Sequence, residues 1–525
     1  MQKAWGGLMP GEDLVNGTIL FAPMANATKT GVALNDANPA ALAAVQAMKQ
    51  EYKPEDFPTA RGSDVLEFLV DMHLNYKKRQ AETIKKSGRS TTLSPMVFDT
   101  GIGYEIQSQY LHQNADAVAH DAYVNGYGPS LDEQMKLADG AFNDLEKNRL
   151  ILEAERVASN EGPWVNWLLK PPGISQGVPW LEHNKIEGKP YLVYETQIQQ
   201  PAKYRADFPL RLAALASIQD WDWVTWHYFG DGSLDSAANS TNPFTKKVDV
   251  TTGSHPQGYH FTYDEVQTSL MRAAAYIFVQ NAWDKAPNPT TFVYGKKSLY
   301  DPKSMNYGHS YGQKGMNMLQ TVYEYGARIR IDTSRQDDEV LGPMVLFEDR
   351  NKHNPYHPTD QITFDWKAGF IKAVSPKAVA FAGHLPQGSN LKWGNISMSD
   401  ISVHNPEGIY DPIDPEKPYF AVSIYTLDDK PLESSNLAGV SMASTSFNSG
   451  YQRGNVNNSQ KAIEGTLPVL VARIGATFHI PEFANGHYTM YDFNNSIIEE
   501  GVLLGHGKLT IEHDKPVYYI LLSKS

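Results

Sequence analysis

Lys189-Pro-Tyr-Leu-Val-Tyr-Glu195-Thr196 is the stretch whose reading decides the fold. Pro190 punctuates the chain, Tyr191 to Tyr194 have strand-forming side chains, and a carboxylate sits where the strand ends. Downstream, Tyr204-Arg-Ala-Asp-Phe-Pro-Leu-Arg-Leu-Ala-Ala-Leu-Ala-Ser-Ile-Gln219 reads as a helix, and Trp221-Asp-Trp-Val-Thr-Trp-His-Tyr228 as a second short, mostly buried strand. Strand, helix, strand is the repeating unit of a parallel α/β fold. A Glu at the carboxyl end of a barrel strand stands where such a fold does its chemistry.

Working upstream, two more strands are expected, one from Thr91 to Val97 and one from Asp116 to Val124. Apolar residues recur at helical spacing from Ser63 to about Lys86, with Ser63 as N-cap and Gly88 as the stop. A short helix from Ala40 to Gln50 and a longer one from about Ala141 to Val157 complete this half. Downstream, Asp264 to Gln280 forms a further helix. Beyond it the texture changes to short β-type runs between Gly, Pro, Asn and Asp turns, among them Thr291–Tyr294, Ile329–Asp332, Ile362–Asp365, Ala378–Phe381, Tyr419–Tyr425, Lys508–Ile511 and Pro516–Leu522. The expected architecture is therefore α/β over residues 1–282 and an antiparallel β-sandwich region, one or two small domains, over residues 283–525.

Four parallel strands are found, ending near Val97, Val124, Glu195 and Tyr228. A closed barrel needs eight. The expectation is the C-terminal half of a (β/α)8 TIM barrel.

At 525 residues the chain is too long for one core. Its net charge of −13 argues against a nucleic-acid backbone as partner, which needs a basic face. There is no cysteine, so disulfides and thiolate chemistry are excluded. No run is apolar enough to span a membrane, and Met1-Gln-Lys-Ala-Trp-Gly-Gly lacks the apolar core of a signal peptide. The compartment stays open, a secreted or periplasmic setting with a partner included. The 10 Trp and 28 Tyr suit sugar-stacking surfaces, although Tyr also packs ordinary cores.

Glu195 is the catalytic candidate, because a rim carboxylate can attack an anomeric carbon. His120, Asp121 and Tyr123 end the preceding strand, and Trp226 and Tyr228 end the next; these five are the expected substrate-binding residues, against the alternative that so aromatic a strand simply fills a core. His112, His120, His255 and His260 are too loosely spaced to suggest a metal, and no glycine-rich phosphate loop follows a strand, so no cofactor is expected.

Several stretches carry a resemblance. They are Ala4-Trp-Gly-Gly-Leu-Met-Pro-Gly-Glu-Asp-Leu14, Arg61-Gly-Ser-Asp64, His120-Asp-Ala-Tyr123, Glu195 with Tyr204-Arg-Ala-Asp-Phe-Pro-Leu210, Gln219-Asp-Trp-Asp222, and Ser423-Ile-Tyr-Thr-Leu-Asp-Asp-Lys-Pro-Leu-Glu-Ser-Ser435. Together they resemble the clan A type (β/α)8 retaining glycoside hydrolases, in particular bacterial members with cellulase-like or β-galactosidase-like barrels and C-terminal β-domains. The resemblance implies that Glu195 is the nucleophile on strand seven, and that an Asn-Glu acid/base should end strand four. That pair has no counterpart here, because the likeness begins after strand four. Asn160-Glu161 follows a helix, and Glu182 precedes the Glu195 strand; both are weaker acid/base candidates. The resemblance thus implies a subunit or fragment of a retaining hydrolase of β-linked saccharides, with a second polypeptide carrying strands one to four and the acid/base. The alternatives are a non-catalytic carbohydrate-binding or structural subunit, and a stand-alone glycosidase whose acid/base is Glu161 or Glu182.

Overall fold

The computed structural model describes residues 59–87, 97–98, 105–124, 181–182, 184–198, 203–227, 264–301, 318–346, 352–365, 368–386, 388–451 and 466–524, with Asp349 and a few positions between 3 and 17. Helix α1 (Thr59–Lys86) starts earlier than Ser63 and buries Leu66, Val70 and Leu74, one turn apart each. Val70 and Leu74 pack on Leu111 and Ala115 as a small satellite of the main core. Strand β1 (Val97–Phe98), helix α2 (Glu105–Gln113), strands β2 (Ala117–Val124) and β3 (Tyr191–Ile198), helix α3 (Asp207–Gln219) and strand β4 (Trp223–Val224) follow. The strands form one parallel sheet in the order β1-β2-β3-β4.

This is not half of a (β/α)8 barrel. The parallel sheet is small, and both of its outer strands have only two residues. The decisive element is helix α4 (Glu265–Val279), which falls within the stretch expected to be barrel, residues 1–282. It packs instead on α3 and on two strands of a large antiparallel sheet. The sequence explains this. Val266, Leu270, Ala273, Ala274 and Ile277 make one buried stripe on α4, and α3, buried at nearly every position, packs beside it, so the two helices form a layer over whichever sheet offers the larger apolar face.

The antiparallel strands offer that face. After β5 (Thr290–Tyr294), helix α5 (Met318–Tyr325), β6 (Ala327–Ile331) and β7 (Glu339–Leu341) come β8 (Ile362–Asp365), β9 (Phe370–Val374), β10 (Ala378–His384), β11 (Leu391–Trp393), β12 (Ile396–His404), β13 (Tyr419–Thr426) and β14 (Leu437–Ala443). The chain ends with β15 (Ser446–Ser449), β16 (Thr466–Val471), β17 (Arg473–His479), β18 (His487–Asp492), β19 (Ile497–Val502), β20 (Lys508–Ile511) and β21 (Val517–Ser523). Eight of these strands make one sheet in the order β19-β18-β21-β14-β13-β10-β9-β8, every neighbouring pair antiparallel. Its central strands β10 and β13 are buried along their whole length, covered by α3 and α4 on one side. Strands β11, β12, β17 and β20 form a second antiparallel sheet, and β15 and β16 a hairpin.

A third sheet breaks the antiparallel pattern expected beyond residue 283. Its strands β5 and β6 are parallel, with β7 antiparallel on the other side of β5. The chain just ahead of β3 joins its edge, since Glu187 donates its backbone N–H to the Ile329 carbonyl and Ile329 donates to Lys185. One hydrophobic core runs from Ile106 through α3 and α4 to Leu522, across residues 282 and 283 without a seam.

Candidate functional site

The parallel sheet positions Glu195 by an irregularity in its register. His120 on β2 pairs with Val193, but Asp121 pairs with Glu195, so Tyr194 is an extra residue on β3. Such a bulge re-aims the side chains that follow it. Here it sets Glu195 beside Asp121. Tyr194 is put to use: its hydroxyl donates to Asp121 Oδ1 at 3.0 Å, while its carbonyl accepts from Thr225 Oγ1 at 2.6 Å.

Strand β4 is short by its ladder pairs, yet the chain beyond it keeps following β3. Thr225 donates its N–H to the Val193 carbonyl at 2.8 Å, and His227 donates to the Thr196 carbonyl at 3.2 Å. At the start of this run Asp222 anchors the strand, accepting from Tyr191 N at 2.8 Å and from Lys185 Nζ at 3.2 Å. The result is that His227 reaches Glu195, Nε2 to Oε2 3.8 Å. That is too long for a direct hydrogen bond. The Glu195 and His227 side chains are 37% and 29% exposed, so a ligand can touch both. The arrangement lies in the second half of β3, which runs three residues past Glu195 to Ile198, with His227 three residues beyond β4.

The other expected residues divide. Trp226 is half-buried on the main core, edge-on to Phe208 of α3 with ring centres 5.4 Å apart, leaving one part of its indole toward solvent. Asp121 is half-buried next to Glu195. Tyr123 takes the register position of Gln197. His120 is not at the rim: it is fully buried, its ring 4.6 Å from that of His112 and 5.5 Å from that of Tyr191. It pairs with Val193, ahead of the bulge, and serves the core. Tyr228 and Glu161 lie outside the described residues, as do the helices expected at 40–50 and 141–157.

Glu182 is brought into a buried knot. Its Oε1 accepts from Arg211 Nη2 at 2.8 Å and from the Tyr323 hydroxyl, and its carbonyl accepts from Gln219 Nε2. Both charged side chains are 1% exposed, and burial drives the Tyr323 hydroxyl well above its ordinary range. A carboxylate so paired and buried is out of reach of substrate. It ties α3, α5 and the segment before β3 together.

Thr225 and Tyr194, which hold the site's geometry, escaped the sequence reading. Their roles depend on the bulge, and nothing in a periodic pattern marks one extra strand residue. Among the described residues no three His, Cys, Asp or Glu side chains converge into a metal site, and none of the described helices is long and apolar enough to cross a membrane. Comparison with family models, with curated proteins and with solved structures finds no match to this chain.

Proposed function

We propose that the chain is the nucleophile-bearing component of a retaining glycoside hydrolase acting on β-linked saccharides. The observation that carries the reading is the close approach of an accessible Glu195 to His227 on the parallel sheet, with Asp121 and Trp226 nearby. In the first step a Glu195 carboxylate oxygen attacks the anomeric carbon, the glycosidic C–O bond breaks, and the leaving oxygen takes a proton from a general acid. In the second, water attacks the same carbon, gives its proton to that group as base, and frees Glu195. His227 and Asp121 hold substrate hydroxyls, and Trp226 offers an apolar edge to the sugar ring.

The general acid comes from a second polypeptide in this reading. Glu182 is locked on Arg211. Asp121 Oδ1 accepts the Tyr194 hydroxyl and is engaged within the sheet. A general acid must hold its proton until the leaving group needs it.

A panel of 2-deoxy-2-fluoro-β-glycosyl fluorides in the gluco, galacto and manno series tests the nucleophile by itself. Fluoride leaves without protonation, so Glu195 displaces it and forms a glycosyl ester even where the acid/base is missing. The expected result is a stoichiometric adduct on the peptide carrying Glu195, absent from Glu195→Gln. Sugar binding with no adduct from any of the three would favour the non-catalytic carbohydrate-binding alternative.

A further inference from the structure

A cavity lined by none of the residues around Glu195 opens beside the first half of α4. It measures about 620 Å³ and lies between α4, the β16 strand, the turn from β18 to β19 and the start of β21. Its volume falls in the ordinary range for small-molecule sites, about 300–1,000 Å³. Its walls divide by chemistry. Phe493 and Tyr518 stack with ring centres 5.3 Å apart, and Tyr519 lies beside them. Arg272 lies over the Tyr519 ring, 4.4 Å from its centre, and is exposed to solvent. Among the described lining residues Arg272 is the one cation and Glu265 the one carboxylate.

Glu265 does not neutralise that cation. It accepts from Ser446 Oγ at 3.1 Å, and Ser446 is in turn held by Arg205, which grips Asp264 with two contacts of 3.0 and 3.1 Å. Burial, and next the neighbouring Asp264 charge, push the Glu265 carboxyl up to about 7. Near neutrality it carries only part of a charge, and Arg272 keeps its own for a ligand. The opposite wall is fixed as well. Asp492 Oδ1 accepts the Asn494 and Ser496 N–H groups at 2.9 and 2.8 Å, and the Tyr518 hydroxyl donates to Asn495 Oδ1.

We propose that this cavity binds a small sugar acid. Its carboxylate would take the Arg272 guanidinium, whose planar fork matches it. Its ring would lie on the aromatic wall, and its hydroxyls would meet Asn494, Asn495, Ser441 and Thr268. The proposal is independent of any role for Glu195.

Saturation-transfer NMR and calorimetry on the full chain test it, with D-glucuronate and D-galacturonate as probes against D-glucose, D-galactose and benzoate. At least one uronate is expected to bind saturably and about tenfold or more tighter than its neutral hexose, the equivalent of one charge-assisted contact. Arg272→Gln should remove that preference. Asn495→Asp, which sets a negative charge in the cavity at a position with φ of 60° that Asp tolerates, should do the same without touching Arg272. Glu195→Gln should leave uronate binding unchanged. No uronate binding, binding that survives both cavity variants, benzoate binding as tight as the uronates, or loss of binding only in Glu195→Gln would each overturn the proposal.

Discussion

The two principal sheets of this molecule are built to different standards. In the eight-stranded antiparallel sheet, β10 and β13 share seven consecutive register pairs with no irregularity. Side chains there fit glycine by design. Tyr425 lies across from Gly439, and a Cβ at Gly439 would come within 2.8 Å of the Tyr425 ring. Gly383, at φ 127°, leaves no room at all, since a Cβ would sit 2.2 Å from the Gly369 carbonyl oxygen. The parallel sheet has one extra residue in β3, outer strands of two residues, and an exposed Trp223. Val118, Tyr191, Val193 and Ile198 tie it to the main core, and polar contacts from Asp222, Thr225 and Tyr194 hold its outer run. The difference separates tasks. The antiparallel sheet and its helices supply the packed mass, and the parallel sheet presents accessible polar groups at an end that close packing would have sealed.

The joint between the two is where that division should break most visibly. Glu182, Arg211 and Tyr323 are the buried polar link from the segment before β3 to α3 and α5. Glu182→Ala removes the buried carboxylate 2.8 Å from Arg211, and breaking such a buried pair from one side costs about 3–5 kcal/mol. Urea unfolding followed by far-UV circular dichroism should show that loss, and a change below about 1 kcal/mol would mean the link holds nothing. Next in size is Gly439→Ala. The added methyl must push the Tyr425 ring off its place, an overpacking cost of about 1–3 kcal/mol, whereas Gly394→Ala, at a turn where a Cβ meets nothing within 4 Å, should cost only the strain of its φ of 61°. Equal losses at the two glycines would deny the antiparallel sheet its tighter fit.

These features also mark what could be read from the chain. Strands with strong alternation or aromatic and β-branched runs were legible: Ile362–Asp365, Phe370–Val374, Tyr419–Thr426 and Lys508–Ile511 stand where their patterns put them. The helix of Asp264 was legible too, and its N-cap carboxylate accepts from Val266 and Gln267 N–H groups. Strand β14, Leu-Ala-Gly-Val-Ser-Met-Ala, was hidden because its small residues exist to admit Tyr425 and neighbours, a reason visible only across strands. The half-barrel expectation failed for a related cause. Strand-helix-strand order fixes which elements alternate, but the face a helix covers depends on competing apolar surfaces, and α4 chose β13 and β14. At the site, Glu195 was legible as a strand carboxylate, although β3 runs on to Ile198 instead of ending there, whereas His120 pairs just ahead of the bulge and is buried in the core.

Acid titration should sharpen the contrast within the antiparallel half itself. Glu265 has its carboxyl raised from 4.5 to about 7, so between those values the folded protein keeps a proton that the unfolded chain has released. Its contribution is full below pH 4.5 and is lost as pH rises toward 7. His384, buried between Tyr204 and Tyr419, has its imidazole lowered from 6.5 to about 4, by burial first and the Lys417 charge second. Its contribution is full above pH 6.5 and is lost as pH falls toward 4. The two slopes oppose each other across the same window, each worth at most about 2–3 kcal/mol. Urea midpoints measured from pH 4 to pH 7.5 should therefore rise more steeply with pH in Glu265→Gln than in the parent chain. Parallel curves would show that Glu265 titrates as an ordinary carboxylate.

The smallest expected effect on stability falls on the residue expected to matter most for chemistry. Glu195 is more than a third exposed, and its carboxylate lies 3.8 Å from a His227 nitrogen at a solvent-accessible position. Glu195→Gln keeps the shape and removes the charge, so its unfolding free energy should stay within about 0.5 kcal/mol of the parent. The same substitution should abolish covalent labelling by fluoroglycosyl fluorides. Thr225→Val separates the two properties from the other side. It keeps the volume but takes away the hydroxyl that donates to the Val193 and Tyr194 carbonyls, costing about 1 kcal/mol. It should slow labelling at Glu195 by loosening the bulge without touching the carboxylate. If Thr225→Val labels at the parental rate while losing stability, the bulge is packing alone. If Glu195→Gln is the more destabilised of the two, Glu195 belongs to the scaffold, and the parallel sheet has no task the antiparallel one lacks.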